Sequence, residues 1–157
     1  MLGARALSRV EITERLEVRG FQATVVQAEL VRLERAGLID DIALARTVCQ
    51  SQLRAGRGRR ALTVALRRRR VAREAAVVAL SELDEEGEGT ALAVAFATAT
   101  RKHRWWRRLP EERRKVVRYL LARGFSLDQV RRALQENGRE EPHGEETDDQ
   151  GDPPSLP

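Results

Sequence analysis

The chain has 157 residues, of which 29 are basic and 24 acidic, for a formal charge of +5, with one cysteine and two histidines. A single Cys49 excludes a disulfide-stapled domain and a Cys-based zinc site, and His103 and His143 lie too far apart for a metal spacing or a Ser/His/Asp arrangement. No run of about 18 apolar residues exists, and the opening MLGARALSRVEI carries charge inside any would-be apolar stretch, so the expectation is a cytoplasmic protein with no membrane helix and no signal peptide.

Punctuation divides the body into short helices. Ser8 and Glu11 form a capping-box pattern, and Gly20 closes the first helix. Thr24 to Gln27 repeats that signal; Val26, Leu30 and Leu33 follow at helical spacing, and Gly37 ends the second helix. Asp40 and Asp41 supply an N-cap and a first-turn carboxylate for a third, running towards Gly56 with Leu44, Val48 and Cys49 inward. As a carboxylate pair, Asp40-Asp41 is better explained by capping than by acid–base or metal chemistry. Further helices are predicted over 58–70, 73–83, 90–103, 110–123 and 126–137. Residues 91–100 also alternate with a strand period, but alanine content and the absence of a partner strand favour helix.

Internal repetition organises these helices. Arg15-Leu16-Glu17-Val18-Arg19-Gly20-Phe21, with Val26 and Leu30, returns 104 residues later as Tyr119-Leu120-Leu121-Ala122-Arg123-Gly124-Phe125, with Val130 and Leu134. A weaker copy at offset 50 has Leu66, Arg69, Arg70, Val71, Ala76 and Leu80 at the matching positions. Arg70 stands where the other copies have the turn glycine, so it takes a left-handed conformation or the turn is built differently. The expected fold is all-α: an elongated, curved array of tandem three-helix repeats over residues 1–137, with copies at about 4–37, 38–83 and 84–137. Phe21 and Phe125 share a repeat position and are expected in the core, and Cys49 as a buried, inert thiol.

The charge is divided along the chain. Residues 1–134 hold 28 basic against 16 acidic residues, a balance of +12, and residues 135–157 hold 1 against 8, a balance of −7. Residues 138–157 lose all apolar periodicity and read as a disordered acidic tail, which is able to fold back on a basic face. Two segments concentrate arginine: 54–73, with nine basic residues and no acidic one, and 101–118, with nine basic residues against Glu111 and Glu112. The candidate anion-binding residues are Arg57, Arg59, Arg60, Arg67, Arg68, Arg69 and Arg70 from the first, and Arg101, Lys102, Arg104, Arg107 and Arg108 from the second. Guanidinium forks match phosphate and carboxylate geometry; the competing explanation is a solvated arginine face. Trp105 and Trp106 point about 100° apart on a helix, so one is expected to pack and the other to be half exposed, or either to stack on bases. His103 joins the basic cluster. No catalytic residue pair, metal site or cofactor loop is present, so the chain is not expected to be an enzyme or to need a cofactor.

Four stretches resemble the RecX family of small bacterial regulators of the RecA recombinase: ALSRVEITERLEVRGF, GLIDDIALARTVCQSQLRAGRGRRAL, LRRRRVAREAAVVAL and RRLPEERRKVVRYLLARGFSLDQVRRAL. The resemblance spans about Ala4 to Leu134. It implies a helical-repeat protein that lies in the groove of the RecA–DNA filament, contacts RecA and the single- or double-stranded DNA within it, and restrains ATP hydrolysis, strand exchange and co-protease activity. The expected form is a monomer acting in recombination, DNA repair and the SOS response, with no membrane partner. Family members usually begin with one more helix, of which Met1-Leu2-Gly3 leaves at most the last turn. Two other readings of the residues stay open: a free-standing helix-turn-helix nucleic-acid binder, for which the second helix offers few base-reading side chains, and an adaptor for acidic proteins.

Overall fold

The computed structural model describes residues 6–139. Among these, eight helices and no strand are present: α1 Arg9–Val18, α2 Ala23–Arg35, α3 Asp41–Arg54, α4 Arg59–Arg68, α5 Arg73–Ser81, α6 Glu85–Lys102, α7 Pro110–Ala122 and α8 Leu127–Arg139. The expected all-helical repeat architecture is therefore found. None of these helices is long and apolar enough to cross a membrane. The acidic segment 140–157 lies outside the described residues, while Gly138 and Arg139 continue α8 two residues beyond its expected end.

Side-chain capping begins four helices. Ser8 and Glu11 form the reciprocal box at α1; Asp40 accepts from the Ala43 N–H at α3, and Asp84 from the Gly87 N–H at α6. At α8, Ser126 Oγ accepts from the Gln129 N–H while Gln129 Oε1 accepts from the Ser126 N–H. Two expected starts are corrected. Helix α2 begins at Ala23 after Gln22, without a side-chain cap, so Thr24 sits inside the first turn. Helix α6 begins at Glu85 rather than Thr90 and runs through Gly87 and Gly89, because Asp84 and the first-turn carboxylates of Glu85, Glu86 and Glu88 offset the glycine penalty. Residues 91–100 are helical, as expected.

Three cores follow one another along the chain. Val26, Leu30 and Ile39 form the first, with Ile12, Leu16 and Leu33 against them. Helices α3, α4 and α5 enclose the second around Leu44, Val48, Cys49, Leu62 and Leu66. Helices α6, α7 and α8 enclose the third around Phe96, Trp106, Val116, Leu120, Phe125 and Val130. Cys49 is buried, and desolvation pushes its thiol up, with Arg59 opposing. Leu53 packs against both the second and third cores.

The joints between the cores differ. Between the second and third, backbone meets backbone: the Gly58 N–H donates to Arg123 O at 2.9 Å and the Arg60 N–H to Gly124 O at 3.2 Å. Gly124 has φ +91°, and a Cβ there would stand 2.5 Å from Ala61 N. Between the first and second the ties are polar. Asp41 accepts from the Arg9 N–H of the first unit at 2.9 Å and, within its own unit, from the Ala72 N–H at 3.3 Å, and Arg70 pairs with Glu14. Arg69, the residue before the turn in its copy, donates to Ala6 O at 2.7 Å, and its equivalent Arg123 donates to Ala55 O at 3.0 Å.

Repeat equivalence fails at Phe21. Phe125 is fully buried, but Phe21 is 53% exposed, contrary to the expectation of a core residue. Both turns are made alike, with Phe21 N–H bonding Leu16 O and Phe125 N–H bonding Leu120 O. What differs is the neighbour: Phe125 is pressed against Gly58 of the preceding unit, and no described unit stands in that position for Phe21. Arg70 adopts φ +49°, so the glycine-less turn is made by a left-handed arginine.

Candidate functional site

The arginines of α4 do not form one face. Its inward residues, Leu62 and Leu66, set the helix so that its neighbours divide the rest. Arg57, Arg68 and Arg69 line a groove between α3 and α4. Arg67 lies with Arg73 in a cleft between α4 and α5. Arg59 and Arg60 face the start of α8, in a depression shared with Glu88, Asp128, Gln129 and Arg132.

That depression runs into a groove of about 1060 Å³, which lies between α6 and α8. The two share Glu88, Gln129 and Arg132. Helices α6 and α8 run side by side: Gln129 Nε2 donates to Glu88 Oε2 at 3.2 Å near their starts, and Arg107, in the connection that follows α6, donates from Nη2 to Asn137 O at 2.7 Å near the end of α8. Leu92, Phe96, Trp106 and Ala133 form an apolar floor. Trp106 is buried and meets Phe96 edge to face at 5.4 Å. Arg101, Arg104 and Arg107 line the groove at its C-terminal end, Glu85 and Glu88 lie at the opposite end, and Arg132, shared with the adjoining depression, lies between them.

Several candidate arginines already serve the fold. Arg59 donates to Glu88 Oε1 at 2.9 Å and Leu80 O at 2.8 Å. Arg69 and Arg70 hold the joint between the first two cores, and Arg107 stacks over Trp106 at 4.9 Å while bonding Asn137 O. Arg104 and Arg108 flank the half-buried Trp105 at 5.5 and 5.7 Å. Lys102 and Arg108 do not line the groove. Arg57, Arg60, Arg67, Arg68, Arg101 and Lys102 make no side-chain hydrogen bond or ion pair within the described residues. Arg101 and Lys102 also occupy the last turn of α6, where positive charge offsets the helix dipole.

The groove thus joins part of the first arginine segment to part of the second. Arg132 links them and was not among the expected residues. It sits in α8 beside inward Val130, Ala133 and Leu134, outside any arginine run, so charge density passes over it. His103 is tied rather than free: its Nδ1 lies 2.8 Å from Glu112 Oε2. The Lys115 ammonium and then the His103 ring hold the Glu112 carboxyl below the usual range.

The chain is similar to known proteins across most of this architecture. The family model described as "RecX, third three-helix domain" matches residues 90–134, most of α6 through α8. A protein of Halorhodospira halophila named "Regulatory protein RecX" is 32% identical over 136 residues, covering 85% of this chain and 81% of its own length. One of the same name from Corynebacterium efficiens is 35% identical over 148 residues, covering 87% and 69%. The one from Mycobacteroides abscessus is 40% identical over 87 residues, 55% of this chain and 43% of that protein. The chain spans about half the length of the first curated relatives it matches. No solved structure matches it significantly. Matched along most of both chains by two such relatives, and through its third helical unit by the family model, the chain belongs to the RecX family of regulatory proteins.

Proposed function

We propose that this protein is a non-catalytic regulator of RecA that lays its basic groove on the RecA–DNA filament and restrains ATP hydrolysis, strand exchange and co-protease activity. It thereby acts in the cytoplasm as a monomeric modulator of recombination, DNA repair and the SOS response. The repeat copies at about 4–37, 38–83 and 84–137 are the units that bridge filament protomers. The observation that carries this reading is the groove running from Arg60 past Arg132 to Arg101 and Arg104, across two successive helical units. Guanidinium groups spaced along such a path suit phosphates or carboxylates presented in series, and neutralising phosphates releases counterions.

The test is inhibition of filament ATPase. The triple variant Arg101→Ala, Arg104→Ala and Arg132→Ala should lose inhibition and co-sedimentation with RecA filaments while keeping its helical circular dichroism. Arg69 is unsuitable for such a set, because it holds Ala6 and its loss disturbs a joint. Undiminished inhibition by the folded triple variant would sink the reading.

A further inference from the structure

The α6–α8 groove has its basic end where the described chain ends. Arg107 Nε and Nη2 grip the Asn137 carbonyl at 3.2 and 2.7 Å, so the last turns of α8 are held beside Arg101 and Arg104. Beyond Arg139 the sequence continues for 18 residues, 140–157, with seven carboxylates and no lysine or arginine. The first two carboxylates, Glu140 and Glu141, follow α8 immediately. The groove runs along α6, whose 18 residues span about 27 Å. Eighteen residues of extended chain reach up to about 60 Å, ample to return along it.

We propose that the α6–α8 groove is the seat of the protein's own acidic C-terminal segment, which lies along Arg101, Arg104 and Arg132 and competes there with any polyanionic ligand. Charge, reach and point of departure agree. The guanidinium groups of Arg101 and Arg132 have no carboxylate on the groove as partner among the described residues, whereas Glu88 is taken by Arg59 and Gln129. Glu85 repels the segment at the far end of the groove, while at the near end Glu136, next to Asn137, is outnumbered by Arg101, Arg104 and Arg107, which favours seating there. A segment tethered this closely acts at an effective concentration of the order of millimolar, so even weak contacts keep the groove occupied. The role as a brake on ligand binding rests on the function proposed above; the seat itself does not.

The experiment uses full-length protein and a variant with the seven tail carboxylates converted to amides. A labelled oligodeoxythymidine is titrated with each, and amide spectra of α6 and α8 are compared. Occupancy of about nine-tenths predicts that the neutral-tail variant binds about tenfold more tightly at low salt, with the gap closing at high salt. Adding Arg101→Ala and Arg104→Ala to both proteins should abolish that gap, and the resonances that move should lie on α6 and α8. Equal affinities with unchanged spectra would overturn the proposal. So would a gap that survives the two arginine substitutions, since the tail would then act from elsewhere. The two readings fail separately. Tail-dependent shifts in a protein that never co-sediments with filaments leave the seat standing and sink the filament reading; co-sedimentation that ignores tail charge, without shifts, sinks only the seat.

Discussion

Gly124 and Gly20 stand at the same repeat position with nearly the same positive φ, +91° and +88°, yet their surroundings are opposite. A methyl group at Gly20 meets nothing within 4 Å, while at Gly124 it would run into Ala61 of the preceding unit. Gly20→Ala should therefore cost about 1 kcal/mol, the backbone contribution alone. Gly124→Ala adds a steric conflict with main chain and should cost about 2–4 kcal/mol in urea unfolding. Equal losses would show that the second joint does not depend on the close approach. Glu112 offers a pH test at the same scale. Its folded pKa is depressed by Lys115 and His103, so the stabilisation is complete above the unfolded value of about 4.3 and is lost as pH falls through the folded value. Glu112→Gln should flatten that part of the acid limb of melting temperature against pH; an unchanged acid limb would show that the ion pairs contribute nothing.

At the scale of elements, the two joints predict unequal opening. The second and third cores share Leu53 and interlocked backbone, but the first core is attached through the polar ties of the half-buried Asp41 and Arg69 and the exposed Arg70. Hydrogen bonds to a charged acceptor contribute about 1.5–3 kcal/mol each. Asp41→Ala should accordingly speed amide exchange in α1 and α2 by about tenfold or more while α6 to α8 keep their protection. A uniform rise over all helices would refute separate attachment. This division also explains what was legible beforehand. Helix identities followed from caps and spacing because those are local: Ser8, Asp40 and Ser126 act on amides three residues away. Repeat equivalence with Phe125 predicts burial for Phe21, but burial is a property of the stacked neighbour, which no repeat alignment contains. The start of α6 was hidden because Gly87 and Gly89 read as breakers, whereas Asp84 and three glutamates outweigh them.

For the molecule as a whole, the balance of +12 over residues 1–134 divides among several surfaces rather than forming one. Composition located the arginines; only packing separated Arg67 and Arg68, adjacent in sequence, into different clefts and joined Arg60 to Arg101 across about forty residues. Arg60, Arg101, Arg104 and Arg132 are the groove guanidiniums without a hydrogen-bonding partner in the described residues. Each that meets a phosphate of single-stranded DNA should contribute about −0.7 to the slope of log affinity against log salt, about −2.8 for four. Arg101→Ala with Arg104→Ala should then halve the slope to about −1.4, and Arg67→Ala should leave it unchanged because that residue lies in the α4–α5 cleft. The measurement belongs in the neutral-tail protein, where no internal carboxylate competes for the groove. If Arg67→Ala lowers the slope as much as either groove substitution, the anion is held by diffuse charge over the array; a change confined to the groove variants identifies the α6–α8 surface as its path.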